Sequence, residues 1–184
     1  NLRKGIQRSC DVYFYEISRK LGVDRLSETA KNFGLGKTVF PDFKEERSGV
    51  VPNTKWKKKF IGQNWYIGET LHSGIGQGYF QSTPLQLCLM TAQIANGGFK
   101  IKPQIILNKN NNDLKDYLKY KNNNPNNSYL TDFLVKKFKL KPLFKNQENI
   151  DLIKDAMFSS SNEPGGTSYR HRIENPKFTF AGKT

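Results

Sequence analysis

The sequence predicts an α+β domain in which helices dominate and strands are few. Two observations predict the helices. Apolar residues recur at helical spacing after Asp11, and the pair Thr83 and Pro84 is typical of a helix start. A third observation predicts a short strand at residues 178–181, close to the end of the chain. By length, the 184 residues form one domain.

The first predicted helix begins at Asp11. This residue suits the N-cap position, which places Ser9 and Cys10 in the turn before the helix. Gly22 is expected to end the helix, and a second short helix is expected over residues 24–34. The apolar residues at helical spacing are Val12, Phe14, Ile17 and Leu21.

Residues 37–68 are predicted to form an extended loop region. The helical pattern breaks up here, in a basic stretch rich in aromatic residues. Prolines and glycines interrupt it at four positions, namely Pro41, Gly49, Pro52 and Gly62.

The helix after Thr83 has the clearest local signal. Thr83 suits the N-cap, Pro84 the first helical position and Gln86 the third, as a capping box requires. We interpret Thr83 and Gln86 as caps and nothing more. Residues 85–95 are apolar nearly all round, which predicts a buried helix that ends at the Asn-Gly-Gly of residues 96–98.

The second half of the chain is predicted from composition and caps. Residues 99–107 are expected to be extended or a strand, and residues 108–131 form a polar Asn/Lys-rich insert expected to be a mobile surface excursion. A helix is predicted over residues 146–157 with Asn146 as its cap, and a loop over residues 159–166.

The composition is strongly basic. Thirty Lys and Arg against 16 Asp and Glu give a formal net charge of +14, which suits an anionic partner such as nucleic acid. The abundance of Lys together with Asn also fits compositional bias, and the salt dependence of nucleic-acid binding would separate the two.

No apolar run is long enough to span a membrane, and no leader peptide precedes Asn1. Because the sequence starts at Asn1 and not at Met, we expect this chain to be a segment of a longer protein.

The cysteines and histidines do not predict a metal centre. Cys10 and Cys88 lack any paired spacing and are expected to be small buried apolar residues. His72 and His171 lie far apart and have no ligand spacing. We expect neither a metal nor a cofactor.

Two catalytic or binding motifs are excluded by spacing. A Walker A loop ending in Gly182-Lys183-Thr184 would need glycine at the position of Lys177. A serine hydrolase elbow would need Gly-x-Ser-x-Gly, and no such run occurs around Ser73 or elsewhere.

A set of short motifs instead carries a family resemblance. They stand in this order: Ser9-Cys10-Asp11 with the aromatic run to Tyr15, Gly76-Gln77-Gly78, Thr83-Pro84-Leu85-Gln86-Leu87, Ala95-Asn96-Gly97-Gly98, Gly165-Gly166-Thr167 and Ala181-Gly182-Lys183-Thr184. Each motif alone is common, but their order and spacing are specific. The sequence resembles the class B penicillin-binding proteins of the elongation type, over essentially the whole chain apart from the insert.

The resemblance implies an incomplete transpeptidase fold of the penicillin-binding and serine β-lactamase type. Residues 1–184 would form part of that domain, mainly its helical lobe plus one edge of its antiparallel sheet. The family's Ser-x-x-Lys motif, which carries the nucleophile, does not occur in the 184 residues and is expected before Asn1. The implied activity is a serine-type D-Ala-D-Ala transpeptidase or carboxypeptidase of cell-wall synthesis, in which a serine ester carries the acyl group.

The resemblance also implies site residues. The catalytic ones would be Ser9, Asp11 and Lys183, and the substrate-binding ones Thr184, Gly182 and Gln77. Ser9 would relay a proton, and Lys183 would attract the terminal carboxylate of the substrate. Asp11 stands where many relatives carry Asn and would favour a cationic neighbour, since a carboxylate only accepts hydrogen bonds. Alternatively, Ser9 and Asp11 only cap a helix, and Lys183 is a solvated lysine.

The implied partners are peptidoglycan stem peptides, β-lactam antibiotics and a glycan-polymerising membrane protein, with no nucleic acid. The implied location is the bacterial inner membrane, with the catalytic domain in the periplasm and the anchor outside this chain. Two alternatives from other classes remain, a catalytically silent scaffold of a cell-wall assembly and a basic nucleic-acid-binding module. We expect the isolated segment to be marginally stable and not to be acylated by penicillin, because it lacks the nucleophile.

Overall fold

The computed structural model describes residues 1–103, 105, 141–144, 146 and 148–184. The Asn/Lys-rich insert expected at 108–131 lies outside these residues. Of the segment expected to be extended or a strand at 99–107, residues 99–103 and 105 are described, and they form no strand beyond an isolated bridge at Phe99. The described part is mainly helical. Its helices are α1 Leu2–Gln7, α2 Asp11–Leu21, α3 Val23–Asn32, α4 Thr54–Phe60, α5 Ile67–Gly74, α6 Pro84–Ala95 and α7 Glu148–Asn162, with short 3-10 helices at Tyr169–His171 and Pro176–Phe178.

Two helix pairs set the arrangement: α1 packs along α7, and α2 packs along α5. Arg3 of α1 ties the first pair, with its guanidinium 2.6 Å from a carboxylate oxygen of Asp155 and 2.6 Å from one of Glu163. Bidentate contacts of this kind add geometric specificity to an ion pair. The turn that follows α1 is therefore held beside the C-terminal half of α7.

A small apolar cluster lies between α3, α6 and the segment that joins α3 to α4. Ala30, Leu35 and Val51 are its buried members, and Phe80 and Met90 pack against them. The main chain closes the cluster through an isolated antiparallel bridge between Val50 and Gln81. This cluster holds α6 in place through Met90, and α6 in turn forms one wall of the cavity described below.

The helix predicted from Asp11 to Gly22 is confirmed as α2, but its cap differs. Cys10 is the N-cap and Asp11 is the first helical residue, so the N-cap prediction for Asp11 is wrong. Ser9 has a φ of 48°, a left-handed conformation that non-glycine residues seldom adopt. The chain therefore turns sharply at Ser9, and the Asp11 side chain is left free of the helix start.

The extended loop predicted for residues 37–68 is wrong in its second half, which contains α4 and the start of α5. Asn53 caps α4 by accepting a hydrogen bond from the Trp56 amide over 2.7 Å. The Lys57 side chain is only 1% exposed and forms an ion pair with Glu69 of α5. The ion pair between α4 and α5 thus stabilises two short helices that the local pattern of Pro and Gly does not predict.

The capping box of α6 is confirmed, with Thr83 accepting from the Gln86 amide and Gln86 accepting from the Thr83 amide. Two other predictions about this segment are wrong. The helix is not buried all round, since Leu85 and Leu87 are exposed. Gln86 is not only a cap, because its fully buried amide donates to the carbonyl oxygens of Lys37 and Ser48 over 2.7 and 2.8 Å. A buried amide that crosslinks a loop explains why the polar residue faces inward.

Both cysteines are exposed, so the expectation that Cys10 and Cys88 are buried is wrong. Cys10 lies in the sharp turn before α2, and Cys88 faces outward from α6. The helical periodicity places Gln86 and Gln93 on the inner face of α6 instead.

Helix α7 runs beyond its predicted end at residue 157 and finishes at Asn162, so the loop expected from residue 159 is wrong at its start. Asn146 accepts a hydrogen bond from the Glu148 amide over 2.9 Å, as a cap would. The last turn contains Ser159, Ser160 and Ser161, all fully buried. Ser159 donates to the Ala156 carbonyl, so its hydroxyl is satisfied inside the helix.

The strand predicted at residues 178–181 is wrong. Residues 176–178 form a 3-10 helix, and residues 179–184 have no regular secondary structure. In the described ranges, the only strand-type pairings are two isolated antiparallel bridges, Val50 with Gln81 and Phe99 with Pro142. A sheet needs strands whose backbone groups are paired along several residues, so the described residues form no edge of a sheet.

The C-terminal segment nevertheless has a defined path across α7. The Gly182 amide donates to the Met157 carbonyl over 3.2 Å, and the Asn162 side chain donates to the Phe180 carbonyl over 2.8 Å. The segment therefore lies against α7 and passes close to the turn at Ser9. Of the helices in the described ranges, none has both the length and the apolar character that a membrane span needs.

Candidate active site

A cavity of about 780 Å³ opens between the turn before α2, helix α6, helix α7 and the C-terminal segment. All six site residues named from the sequence line it: Ser9, Asp11, Gln77, Gly182, Lys183 and Thr184. The rest of the lining is mostly apolar. Its side chains include Phe14, Met90, Ile94, Ile153 and Met157. A cleft with one apolar wall and one wall of charged and hydroxyl groups suits a peptide that carries a charged terminus.

Ser9 and Lys183 meet at the centre of the polar wall. The ammonium of Lys183 donates to the Ser9 hydroxyl over 2.8 Å. It also donates to the backbone oxygen of Thr184. Ser9 is held in place by its turn, in which the Cys10 amide donates to the Gly5 carbonyl over 2.9 Å. The strained backbone at Ser9 therefore aims its hydroxyl at the lysine.

The charge state of Lys183 depends on two opposing influences. Burial lowers the pKa of the Lys183 ammonium below its ordinary value, and the negative charge of Asp11 acts in the opposite direction. Asp11 makes no hydrogen bond to the lysine in the structure, so its influence is through space. The cleft thus presents a partly desolvated cation, with a carboxylate at its edge.

Four hydroxyl groups form a continuous chain from the cleft into the protein. The Ser9 and Thr184 hydroxyls lie 2.7 Å apart, those of Thr184 and Thr167 also 2.7 Å, and those of Thr167 and Ser160 3.2 Å. Ser160 is fully buried in α7. The chain links the polar wall of the cavity to the interior of the domain.

Sequence reasoning assigned no role to Thr167 or Ser160. A signal for Thr167 exists, since the motif Gly165-Gly166-Thr167 places a hydroxyl residue after a glycine pair that allows close backbone approach. Ser160 has no such signal, because a run of serines is typical of the start of a loop. The other two residues of the hydroxyl chain, Ser9 and Thr184, are among those predicted from the sequence.

The remaining two predicted residues contact the cavity by different means. Gln77 follows α5, and its amide donates to the His72 carbonyl over 2.9 Å, which fixes the loop that borders the cleft. Gly182 lies against α7, since a Cβ atom at this position would be in van der Waals contact with the Ser161 hydroxyl, 3.4 Å away. Among the described residues, no group of three or more His, Cys, Asp or Glu side chains could hold a metal ion.

Comparison with known proteins identifies the fold as that of a penicillin-binding protein transpeptidase domain. The family model described as the penicillin binding protein transpeptidase domain matches residues 1–184. The chain belongs to this family, which confirms both the resemblance and the fold class inferred from the sequence.

Individual relatives agree with this assignment. The chain is 29% identical over 184 residues to the peptidoglycan D,D-transpeptidase MrdA of Escherichia coli K12, covering 100% of the chain and 26% of that protein. It is 39% identical over 106 residues to MrdA of Acinetobacter baumannii, covering 58% of the chain and 16% of the relative. The chain thus spans about a quarter or less of the length of these curated relatives.

Solved structures also match. The penicillin-binding protein PBP2 of Helicobacter pylori, in a complex with MreC, superposes with a TM-score of 0.76 at 30% identity, covering 100% of the chain and 30% of the matched chain. PBP2 of Pseudomonas aeruginosa, in complex with WCK 5153, superposes with a TM-score of 0.66 at 31% identity, covering 92% and 34%. The similarity to elongation-type members therefore extends from sequence to backbone.

Proposed function

We propose that this chain forms part of a peptidoglycan D,D-transpeptidase, which cross-links stem peptides through a serine acyl-enzyme during cell-wall synthesis. One observation carries the proposal: Lys183 and Ser9, which are 174 residues apart in sequence, meet at 2.8 Å on the wall of one cleft. The names of the relatives support the same activity.

The reaction divides into two acyl transfers. A serine hydroxyl, supplied by the Ser-x-x-Lys motif expected outside these 184 residues, attacks the carbonyl carbon of the D-Ala-D-Ala bond. The peptide C–N bond breaks, and D-Ala leaves as a protonated amine. The amine of a neighbouring stem peptide then attacks the ester and takes the acyl group. The ester C–O bond breaks, and a proton lost by that amine goes to the serine oxygen.

Lys183 acts as the fixed cation of the cleft. Its ammonium attracts the terminal carboxylate of the substrate, and its partial burial strengthens that attraction relative to water. A positive charge here also favours the negative charge that develops on the carbonyl oxygen during attack. The Thr184 hydroxyl, 2.7 Å from Ser9, is placed to donate to the same carboxylate.

Ser9 acts in proton transfer to the leaving amine. Because the lysine ammonium can only donate, Ser9 accepts from it. Its own proton is then left to be donated, to the Thr184 hydroxyl 2.7 Å away before the reaction and to the leaving amine during it. Asp11 holds the lysine in its charged form by raising its pKa, against the effect of burial. Gln77 and Gly182 shape the walls that border the bound peptide.

The proposal extends to the setting of the complete protein. We place its catalytic domain in the periplasm, anchored to the bacterial inner membrane by a segment outside this chain. Its partners would be a glycan-polymerising membrane protein and a MreC-like protein, the latter because the similar Helicobacter pylori PBP2 is in a complex with MreC. The site would accept β-lactam antibiotics, and it would act as a carboxypeptidase when water replaces the acceptor amine and hydrolyses the acyl-enzyme.

Labelling with a fluorescent penicillin tests the activity. The complete protein in which this segment occurs is incubated with the probe, and the covalent adduct is counted after denaturing electrophoresis. We expect one adduct per chain, competed by unlabelled penicillin and lost when the serine of the Ser-x-x-Lys motif is replaced by alanine. The isolated 184-residue segment is expected to give no adduct.

Two results would contradict the proposal. Failure of the folded complete protein to react with the probe would point to a catalytically silent scaffold. An adduct on the isolated segment would show that a residue within it is the nucleophile, which would overturn the roles given to Ser9 and Lys183.

A further inference from the structure

Thr167 occupies a junction between three parts of the site. Its amide donates to the carbonyl of Gln7, the last residue of α1, over 3.2 Å. Its hydroxyl lies 3.2 Å from that of Ser160 in α7 and 2.7 Å from that of Thr184 in the cleft. Among the described residues, no other member of the hydroxyl chain has hydrogen bonds to α1, α7 and the C-terminal segment together.

The backbone around Thr167 is fixed by close packing. A Cβ atom at Gly166 would lie within 3.0 Å of the carbonyl oxygens of Ser159 and Ser160, a distance that real Cβ atoms do not adopt. The Ser168 amide donates to the Ser160 carbonyl over 3.1 Å. Thr167 is therefore pressed against the last turns of α7 and cannot follow movements of the C-terminal segment freely.

The donors and acceptors of the chain can be assigned when a substrate is bound. Each hydroxyl has one proton to donate and can accept two hydrogen bonds. A carboxylate in the cleft only accepts, so a Thr184 hydroxyl that contacts it must donate its single proton there. The Thr184 oxygen then accepts from both neighbouring hydroxyls, those of Thr167 and Ser9, each 2.7 Å away. Ser160, which is fully buried, is placed to donate to Thr167 in turn.

We propose that Thr167 is a positioning residue for the transpeptidase site: it donates a hydrogen bond to the Thr184 hydroxyl and so directs the Thr184 proton at the terminal carboxylate of the acyl donor. This inference rests on the function proposed above and adds a residue to it. Thr167 does not touch the substrate. Its effect is confined to ligands that present a carboxylate to Thr184.

The carboxylate dependence gives the test. In the complete protein, acylation rate constants are measured for a fluorescent penicillin and for its carboxylate methyl ester, with wild type, Thr167→Val and Thr167→Ser. Valine matches threonine in shape and lacks the hydroxyl, so we expect the second-order rate constant for the acid to fall about ten-fold, as for one lost hydrogen bond that supports a charged contact. The ester should react with wild type and Thr167→Val at the same rate, and serine should restore the rate for the acid.

Thr179→Val is the matched control. Its hydroxyl donates to the Pro176 carbonyl on the exposed segment before the site, outside the hydroxyl chain. This variant should react like wild type with both ligands. A loss in Thr167→Val that is equal for acid and ester would show a purely structural role, and an unchanged rate for the acid would show no role. Either result overturns the inference.

A second measurement separates this inference from the proposed function. Thermal unfolding of Thr167→Val, Thr184→Val and the double variant forms a double-mutant cycle that needs no catalysis. Non-additive effects support the hydrogen bond between the two hydroxyls, and strict additivity overturns it. If the wild-type protein takes up no penicillin at all, the proposed function fails, while this cycle still decides whether Thr167 orients Thr184.

Discussion

The Nζ atom of Lys183 donates a hydrogen bond to the Oγ atom of Ser9 over 2.8 Å, across 174 residues of sequence. Each partner is positioned by a different contact. Ser9 lies in the turn that follows α1. Gly182, the residue before Lys183, is bound to α7 by the hydrogen bond from its amide to the Met157 carbonyl. The distance between the two side chains therefore depends on how α1 is held against α7.

Loss of the lysine charge should reduce acylation strongly. We expect Lys183→Ala to lower the second-order rate constant for penicillin about a hundred-fold in the complete protein, the size found when a charge-stabilising donor is removed from an active site. Lys183→Arg should retain part of the rate, because the charge remains while the fork-shaped group alters the contact with Ser9. Stopped-flow acylation checks both.

Lys177→Ala is the control for this change. It removes an exposed lysine six residues earlier on the same segment and should leave the rate unchanged. If Lys183→Ala reacted as fast as wild type, the alternative that Lys183 is a solvated lysine would hold.

The pH dependence of acylation should report the Lys183 ammonium. Burial lowers its pKa, so the charged form is lost as pH rises through a value below the ordinary 10.5. Asp11 opposes the shift, so Asp11→Asn should move the alkaline fall in rate to lower pH. Lys183→Arg should move it to higher pH, because arginine stays protonated. Rate profiles between pH 6 and pH 11 check the order of the three proteins (a range chosen to bracket the lysine titration), and an identical alkaline limb in all three would exclude Lys183 as its cause.

The ion pairs of Arg3 with Asp155 and Glu163 should contribute to the stability of the fold in a pH-dependent way. Hydrogen bonding to Arg3 lowers the pKa of the Glu163 carboxyl below its ordinary value of 4.5. A carboxyl whose folded pKa is depressed stabilises the fold above its unfolded pKa, and that contribution is lost as pH falls through the folded pKa. We expect Arg3→Met to lower the melting temperature at pH 7 and to lower it less as pH falls below 4.5.

Arg19→Met is the control for the Arg3 ion pairs. Arg19 pairs with Glu16 one turn away on exposed α2, and such pairs contribute little. Its melting temperature should change less than that of Arg3→Met. Equal changes in the two variants would mean that the contact between α1 and α7 does not depend on the Arg3 ion pairs.

The sequence predicted the elements whose signals are local. The capping box of Thr83 and Gln86 located α6 because both partners lie within one turn. The same local reasoning missed the tertiary role of Gln86, whose amide bonds reach Lys37 and Ser48 across more than 35 residues. No pattern within the helix itself indicates partners that far away.

The errors in the fold have the same cause. Helix α4 depends on the pair of Lys57 with Glu69. Helix α7 extends through three fully buried serines, Ser159–Ser161, although serine alone disfavours a helix interior. For the site, the motif order predicted which residues line the cleft. It did not indicate Thr167 and Ser160, because a hydrogen-bonded chain of hydroxyls exists only after α1 and α7 have packed together.

Removal of the buried Lys57 should destabilise the domain. Lys57 is 1% exposed, pairs with Glu69, and lies 4.6 Å from the ring centroid of Tyr66. Replacing it with methionine keeps much of the volume and leaves the Glu69 carboxylate without its partner, so we expect a loss of about 3 kcal/mol in the free energy of unfolding. Lys58→Met, one position along and exposed, should cost little. Restoration of stability in the double variant Lys57→Met and Glu69→Gln would identify the unpaired charge as the cause.

A methyl group at Gly166 should disturb the site from a distance. A Cβ atom there would overlap the carbonyl oxygens of Ser159 and Ser160, which belong to the helix and cannot rotate away. The loop must therefore move outward, which costs about 2 kcal/mol by analogy with overpacked cores. Because Thr167 follows directly, its hydroxyl should lose contact with Ser160 and Thr184, and acylation by penicillin should fall together with stability.

Gly68→Ala tests whether that effect comes from the overlap. Gly68 lies in α5, and no atom lies within 4 Å of the position that an added methyl group would take, so alanine should leave acylation unchanged and raise helix stability by about 0.5 kcal/mol. Its φ lies outside the left-handed region, so alanine introduces no backbone strain there. If Gly166→Ala behaved like Gly68→Ala in both unfolding and acylation, the close packing of the loop on α7 would not hold Thr167 in place. The positions of Ser9 and Lys183 would then depend on α1 and the C-terminal segment alone.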